Sequence, residues 1–274
     1  MLKSLLLLLD GAHCAQGLSE FGVSLASVSQ ARLRGLAMLD MRRVVQAANC
    51  EAASGCCTEL NLLQTVERCQ NRALEQLTAA CAGSKVDFDI RRVKGDPFDI
   101  LPSEAQFHDL TIVAMPLANS AVAHEQSLPA TDVLKLLSAG VRPLLVLRTP
   151  LAPVQRVLLV SDGGAHSTAT VREFLRQDLF PQAERRLFAL SETETRAKSL
   201  LRELVDYARQ RQTKFECGWA RGTARQAVVR YAEKWQADLV VIGYRPQHLL
   251  LRPLWPQPAE QILRQTGMAL FASG

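Results

Sequence analysis

The sequence is poor in aromatic residues, in clustered positive charge and in long apolar stretches. Aromatic residues make up 5% of the 274 residues, which argues against a platform of stacked rings that binds nucleic-acid bases. The net charge of +5 is spread thinly along the chain without a run of Lys and Arg, so no basic arm for nucleic acid is predicted. No apolar stretch approaches the roughly 20 residues of a membrane-spanning helix. We therefore expect neither a nucleic-acid partner nor insertion into a membrane.

The leucine run at the start of the chain lacks the features of an export signal. The run Leu5–Leu9 is short, meets Asp10 at once and is not followed by a small-residue cleavage pattern. A similar apolar run, Val157–Val160, lies deep in the chain, which indicates a buried strand in both places. The sequence therefore predicts a cytoplasmic protein.

Metal-binding cysteine spacing is also absent. Six of the seven cysteines lie in the first half of the chain, and only Cys217 lies in the second. Cys50, Cys56 and Cys57 are close together, but neither a C-x-x-C motif nor a nearby histidine accompanies them. We expect reduced cysteines that pack as small apolar residues, with zinc binding and redox sensing as alternatives.

What the chain does contain is an internal repeat. Residues 4–13 recur as residues 156–166, and each copy has an apolar run that ends in Asp-Gly. Residues 94–113 recur as residues 221–242, and each copy has a glycine before a short helical segment and then Asp-Leu before another apolar run. This order of unlike landmarks predicts two copies of one α/β unit.

The repeat predicts two domains, residues 1–149 and 154–274. The linker between them, residues 150–153, begins and ends with proline, which suits an exposed connection. Within each domain, five apolar strands alternate with helical segments, which is typical of a parallel sheet covered on both faces. The predicted fold class is α/β, with two tandem Rossmann-like domains that each contain a five-stranded parallel sheet flanked by helices.

This pattern resembles the universal stress protein family in its tandem form. The resemblance rests on the strand-Asp-Gly openings, on Gly95 and Gly222 before the short helices, and on the Asp-Leu starts of the fourth strands. It implies adenine nucleotide alpha hydrolase-like domains that pair within one chain through their last strands, residues 143–147 and 268–272, as an internal pseudo-dimer. It also implies a stress-response role without enzymatic turnover, through an unknown regulatory protein partner, with a homodimer as a further alternative.

Many members of this family bind ATP through glycines that follow the fourth strand, because glycine lets backbone N–H groups approach phosphates. In the second copy Gly243 matches the first of these glycines, whereas Pro246 and Pro256 stand at the next two. Proline has no N–H to donate. In the first copy Ala114 stands at the first position, and residues 114–129 contain no glycine. Lost or weakened ATP binding is therefore predicted.

Candidate ligand positions remain at the carboxyl ends of the strands, where ligands of such sheets bind. By resemblance, the aspartates of the Asp-Gly turns hold the nucleoside end of a nucleotide, and an arginine beside the fourth strand could replace the lost N–H donors. The candidates are Asp10, Gly11, Asp162, Gly163, Gly243 and Arg245. ATP or AMP is the cofactor they would take, although none is firmly predicted. The alternative is that Asp-Gly only makes a tight turn into the next helix.

Other residues of interest have simpler interpretations. His13 and His166 follow the Asp-Gly turns and are expected at helix starts, where Ser167 or Thr168 is expected to serve as the N-cap. The apolar loop around Trp255 is expected to be a packed lid or a docking patch. No catalytic residues and no metal ligands are predicted, because no nucleophile–base pair, carboxylate pair or metal cluster stands out.

Three functional hypotheses stay open at this point. The first is a regulatory binding module with lost or weakened ATP binding. The second is an adenine-nucleotide-binding switch with at most weak hydrolysis. The third is a carrier of a small ligand, or a scaffold without a ligand that docks a partner through the Trp255 loop or through Gln46–Asn61, a segment expected to be a loop or a small added helix.

Overall fold

Strands and helices alternate along the whole chain, as predicted. The computed structural model describes residues 2–9, 12–42, 59–117, 128–209, 215–221, 225–245 and 258–273. The first half contains β1 (Ser4–Leu9), α1 (Ala12–Ser29), β2 (Arg32–Asp40), α2 (Glu59–Ala82), β3 (Phe88–Gly95), α3 (Pro97–Ala105), β4 (Leu110–Pro116), α4 (Ala130–Ser138) and β5 (Leu144–Thr149). The second half contains β6 (Arg156–Ser161), α5 (Ala165–Gln177), β7 (Glu184–Ser191), α6 (Glu194–Arg209), β8 (Glu216–Arg221), α7 (Arg225–Trp235), β9 (Leu239–Gly243), α8 (Pro258–Gln265) and β10 (Ala269–Ser273).

The chain forms two compact units. The first comprises residues 2–141 and 149–151, and the second comprises residues 142–148 and 152–274. The first unit contains parallel strands in the order β3-β2-β1-β4. The second contains the parallel strands β10-β9-β6-β7-β8, with β5 antiparallel against β10. Both orders confirm the α/β fold class.

Strand β5 belongs to the first repeat in sequence but packs with the second unit. Leu145 lies opposite Phe271 in an antiparallel ladder, so the pairing of last strands that the resemblance implies is present. The predicted domain bounds follow the repeat along the chain, whereas the compact units follow packing. The two descriptions therefore assign residues 142–148 differently.

The central strands are buried on both faces. Every residue of Leu5–Leu9 in β1 and of Val157–Val160 in β6 is at most 2% exposed, as expected for parallel strands covered by helices on both sides. Full burial of such a side chain contributes about 1.5–3 kcal/mol. The apolar runs that the sequence shows twice are therefore the centres of the two cores.

A repeated aspartate ties the first strand of each unit to its fourth. The Asp109 carboxylate accepts hydrogen bonds from the backbone N–H groups of Lys3 at 2.7 Å and Ser4 at 3.0 Å. Asp238 accepts in the same way from the N–H groups of residues 155–156, both at 2.8 Å. Hydrogen bonds to a charged acceptor are stronger than neutral ones. The Asp-Leu landmark of the repeat thus has a structural role in both copies.

An arginine–carboxylate pair also recurs, between the second and third strands of each unit. Arg34 on β2 lies opposite Asp89 on β3, with 2.8 Å between Nε and Oδ2. Arg186 on β7 lies opposite Glu216 on β8 and forms an ion pair with it. Strands β3 and β8 end the strand orders, and charged side chains at such edges disfavour pairing with foreign strands.

Strand β5 carries a buried arginine. Arg148 is 7% exposed, and its guanidinium donates at 2.7–3.1 Å to the backbone carbonyl oxygens of Ile262, Leu263, Thr266 and Met268. These carbonyls lie at and just beyond the C-terminal end of α8, where the helix dipole is negative. Burial lowers the pKa of Arg148 to about 10, so the side chain stays charged at neutral pH.

Within the described ranges, no helix is both long enough and apolar enough to cross a bilayer.

Candidate functional site

The turn between β6 and α5 contains two of the predicted site residues. Gly163 has a φ of +77°, a conformation that glycine adopts without strain. The Asp162 carboxylate accepts hydrogen bonds from the Gly164 N–H at 2.8 Å and from the Ser167 hydroxyl at 2.5 Å. An aspartate that bonds the N–H group two residues ahead forms an Asx turn. Asp162 therefore holds the tight turn into the next helix.

Hydroxyl groups complete the internal bonding of this turn. The Asp162 N–H donates to Ser167 Oγ at 3.2 Å, and the Gly163 N–H donates to Ser161 Oγ, also at 3.2 Å. The Ser161 and Ser167 oxygens are 3.2 Å apart. Together with the bond from Gly164 to Asp162, each backbone N–H of residues 162–164 has a partner within the turn. These donors are therefore already engaged.

The expected N-cap of α5 is wrong. The residue at that position is Gly164, which forms no side-chain cap. Ser167 lies within the first turn, where its hydroxyl bonds Asp162. The sequence pattern placed the helix start too late because Gly163-Gly164 looked like part of a loop.

Gly243, at the end of β9, lies directly against the first turn of α5. A Cβ atom at this position would be 2.5 Å from the Cα of Ser167, 2.6 Å from its nitrogen and 2.8 Å from the carbonyl carbon of His166. Backbone atoms cannot yield as a side chain can, so glycine is required for this close approach. The close packing of α5 on β9 is therefore enough to explain why position 243 is a glycine, and phosphate binding is not needed to explain it.

The structure brings Asp162, Gly163 and Gly243 to one edge of the sheet, joined through Ser167. Arg245 is exposed two residues beyond β9, and the neighbouring Tyr244 is buried, with its N–H bonded to the Ser273 carbonyl at 2.9 Å. The other candidates, Asp10 and Gly11, lie outside the described residues. So do Pro246, Pro256, the Trp255 loop, and most of the segment Gln46–Asn61.

At the carboxyl ends of the first unit's strands, Arg42 is the centre of a charged cluster. Its Nε and Nη2 atoms bond the Asp40 carboxylate at 3.0 and 2.6 Å, and it lies 3.4 Å from both Asp96 and Asp132. The guanidinium also stacks 4.3 Å from the centre of the Phe98 ring. The hydrogen bond to Asp40 raises the pKa of Arg42. The chain's own cation therefore pairs with these carboxylates.

Sequence reasoning missed this cluster because its members are far apart in the chain. Asp40 ends β2, Asp96 caps α3 and Asp132 lies in the first turn of α4. For these residues the sequence indicated only that a short helix begins after Gly95-Asp96. Asp96 indeed accepts a hydrogen bond from the Phe98 N–H at 2.9 Å.

Metal and thiol chemistry find no support in the part of the chain that the structure describes. It contains no group of three or more His, Cys, Asp or Glu side chains that could hold a metal ion. Cys69, Cys81 and Cys217 are free thiols. Burial raises the pKa of Cys81, which reduces the reactive thiolate fraction of that residue at neutral pH.

The two histidines that the structure shows nearest the repeat landmarks have no catalytic geometry. His166 is exposed in the first turn of α5. His108 places Nδ1 2.9 Å from the Glu104 carbonyl oxygen, at the end of α3. The position of His166 in the first turn of α5 agrees with the helix start expected for it.

Comparison with known proteins gives a consistent result. The model of the universal stress protein family matches residues 165–268, and no curated protein matched the chain. A universal stress protein from Archaeoglobus fulgidus DSM 4304 aligns with 13% identity and a TM-score of 0.66, over 98% of this chain and 95% of its own. A protein assigned to the same family from Pseudomonas aeruginosa UCBPP-PA14 aligns with 16% identity and a TM-score of 0.60, over 99% and 93%. At these identities the likeness concerns the fold, and it spans both units.

Proposed function

We propose that the chain is a stress-response binding and regulatory module of the universal stress protein family, because that family's model matches residues 165–268 and the fold of a universal stress protein aligns over both units. Its affinity for adenine nucleotides is weak or lost, it acts in the cytoplasm, and it works through a protein partner without turnover. One observation carries this proposal: the polar groups at the predicted nucleotide site bond one another.

Ligand binding at the Asp162 turn would cost internal hydrogen bonds. A nucleotide would need the Asp162 carboxylate and the N–H groups that follow it, but these are engaged with Ser161, Ser167 and Gly164. Each internal hydrogen bond that a ligand displaces removes about 0.5–1.5 kcal/mol of stability. A ligand must therefore offset several such losses before it gains affinity.

The fourth-strand loop offers little compensation. Pro246 and Pro256 replace two glycines of the family's phosphate loop, and each substitution removes an N–H donor. Gly243 remains, but it contacts the backbone of Ser167. These features support weak binding of a triphosphate.

The test is isothermal titration of the full-length protein with ATP, AMP and adenosine in the presence of magnesium. We expect no saturable heat corresponding to a Kd below about 1 mM, or −4.1 kcal/mol. A micromolar Kd for ATP that Arg245→Ala weakens and Arg245→Lys largely retains would overturn the proposal. It would instead support the second candidate, an adenine-nucleotide switch, in which the exposed Arg245 replaces the lost donors.

Two further outcomes separate the remaining hypotheses. Binding of AMP or adenosine without ATP would indicate a nucleoside pocket and favour a small-ligand carrier, and native mass spectrometry of the purified protein would then reveal a co-bound molecule. If none of ATP, AMP and adenosine gives a heat of binding, a protein partner is favoured. Cross-linking in stressed cells would then be used to find that partner. Fractionation of the same cells checks the cytoplasmic location.

A further inference from the structure

Strand β5 needs a partner because its side chains are almost all apolar. Residues Leu144–Leu147 are at most 3% exposed, and β5 forms its antiparallel ladder with β10, with Val146 opposite Leu270. An apolar strand with a free edge readily pairs with another chain. Apolar contacts are non-directional, so they alone do not decide which strand β5 pairs with.

Arg148 adds a directional element to this pairing. Its guanidinium has hydrogen-bond donors in a rigid planar fork, and four carbonyl oxygens at the end of α8 lie within 3.1 Å of it. The helix end also provides a negative partial charge beside the cation. In the register that β5 adopts on β10, the guanidinium of Arg148 therefore lies where the carbonyl oxygens at the end of α8 can accept its hydrogen bonds.

The matching helix of the first unit ends differently. At the end of α4 the N–H groups of Ala139, Gly140 and Val141 donate to carbonyls of the last turn at 2.8–3.3 Å. The Ser138 hydroxyl donates to Leu134 at 2.8 Å. Gly140 has a φ of +98°, which glycine permits at a helix C-terminus. The last turn of α4 is thus closed by its own backbone N–H groups. At the end of α8 the Ile262 carbonyl also accepts from Thr266, through its N–H at 3.3 Å and its hydroxyl at 2.8 Å, but Leu263, Thr266 and Met268 direct their carbonyl oxygens at Arg148.

We propose that Arg148 selects the partner of β5. It holds β5 on β10 of the same chain, because there the guanidinium meets four carbonyl oxygens at the end of α8. Pairing of β5 with β5 of a second copy would bury Arg148 without those acceptors, and an uncompensated buried charge strongly disfavours an assembly. The same residue therefore stabilises the internal pair and suppresses the intermolecular one.

The test compares four full-length proteins: wild type, Arg148→Met, Arg148→Lys and Val228→Ala. Methionine has a similar length but no charge, and lysine keeps the charge without the planar fork. Val228 is fully buried on α7, so Val228→Ala lowers the stability of the same unit while leaving the sequence of β5 unchanged. Size-exclusion chromatography with light scattering over a range of concentrations measures association, and hydrogen exchange measures protection of the β5 amides.

For Arg148→Met we expect the self-association constant to rise at least about tenfold, which corresponds to 1.4 kcal/mol, and the β5 amides to exchange faster in the monomer. Arg148→Lys should fall between wild type and Arg148→Met, and it carries the test if the methionine variant does not fold. Val228→Ala should lower Tm without a change in association.

Two results would overturn this inference. One is an unchanged mass distribution in the Arg148 variants together with full protection of the β5 amides. The other is association of Val228→Ala equal to that of Arg148→Met, because general destabilisation would then explain the effect.

Discussion

Gly243 shows how a single residue can be kept for packing at a site predicted for a ligand. Its place against the Ser167 backbone leaves no room for a methyl group. We expect Gly243→Ala to lower the free energy of unfolding by about 1–3 kcal/mol, because the helix must shift away from the strand. Urea unfolding measures the change, with Gly83→Ala as the control, because a Cβ atom at Gly83 would meet nothing within 4 Å. Wild-type stability of Gly243→Ala would contradict the close packing described above.

The buried Arg148 should make the stability of the protein depend on pH in the alkaline range. Burial lowers the pKa of its folded form to about 10, below the ordinary value that it has when unfolded. Between pH 5 and 9 the residue is charged in both states, so the stability difference between wild type and Arg148→Met should stay constant. Above pH 10 the unfolded chain binds more protons, and wild type should gain stability relative to the variant. Thermal melts at a series of pH values measure this difference, and a steady slope between pH 6 and 8 would be inconsistent with it.

The residue scale is also where sequence reasoning was least complete. The sequence predicted that Asp162 and Gly243 lie at one edge of a sheet, because both follow apolar strands. It could not predict that Asp162 bonds Ser167, since that contact depends on how α5 lies on β9. Nor could it predict that Arg42 joins Asp40 to Asp132, because the two carboxylates meet only after folding.

At the level of elements, the start of α3 tests whether capping or charge matters more. Asp96 caps this helix through the Phe98 N–H and also faces Arg42 at 3.4 Å. We expect Asp96→Ala to lower stability by about 1 kcal/mol through loss of the cap. Asp96→Ser keeps a capping oxygen and removes only the charge, so it should retain most of the stability. Chemical denaturation compares the two variants, and equal losses would assign the effect to the ion pair.

Element order and type were predictable because periodicity and apolar runs are local properties. The last strands of the two copies were expected at residues 143–147 and 268–272, and the structure has them at Leu144–Thr149 and Ala269–Ser273. The partner of β5 is a non-local property, and it came only from the resemblance to a family. Its assignment to the second unit depends on packing that no local pattern encodes.

Tryptophan fluorescence reports on only the second half of the molecule. All three tryptophans lie in the second half, and Trp235 is buried in the second unit. Asp109→Ala and Asp238→Ala remove equivalent carboxylates from the two units, and each should cost about 1–3 kcal/mol. Because each unit has its own core, we expect only Asp238→Ala to shift the fluorescence-detected midpoint, while circular dichroism detects both changes. Equal fluorescence shifts would show that the units unfold as one.

The position of β5 also has a consequence for synthesis on the ribosome. Its antiparallel partner β10 begins about 120 residues after β5 ends. At about 5–20 residues per second, the nascent chain extends for about 6–24 seconds before that ladder can form. During this interval the leucines and the valine of β5 have been synthesised, but β10, with which they pair in the folded protein, has not. A chaperone that binds short apolar segments should therefore be captured most strongly on chains stalled between residues 190 and 260.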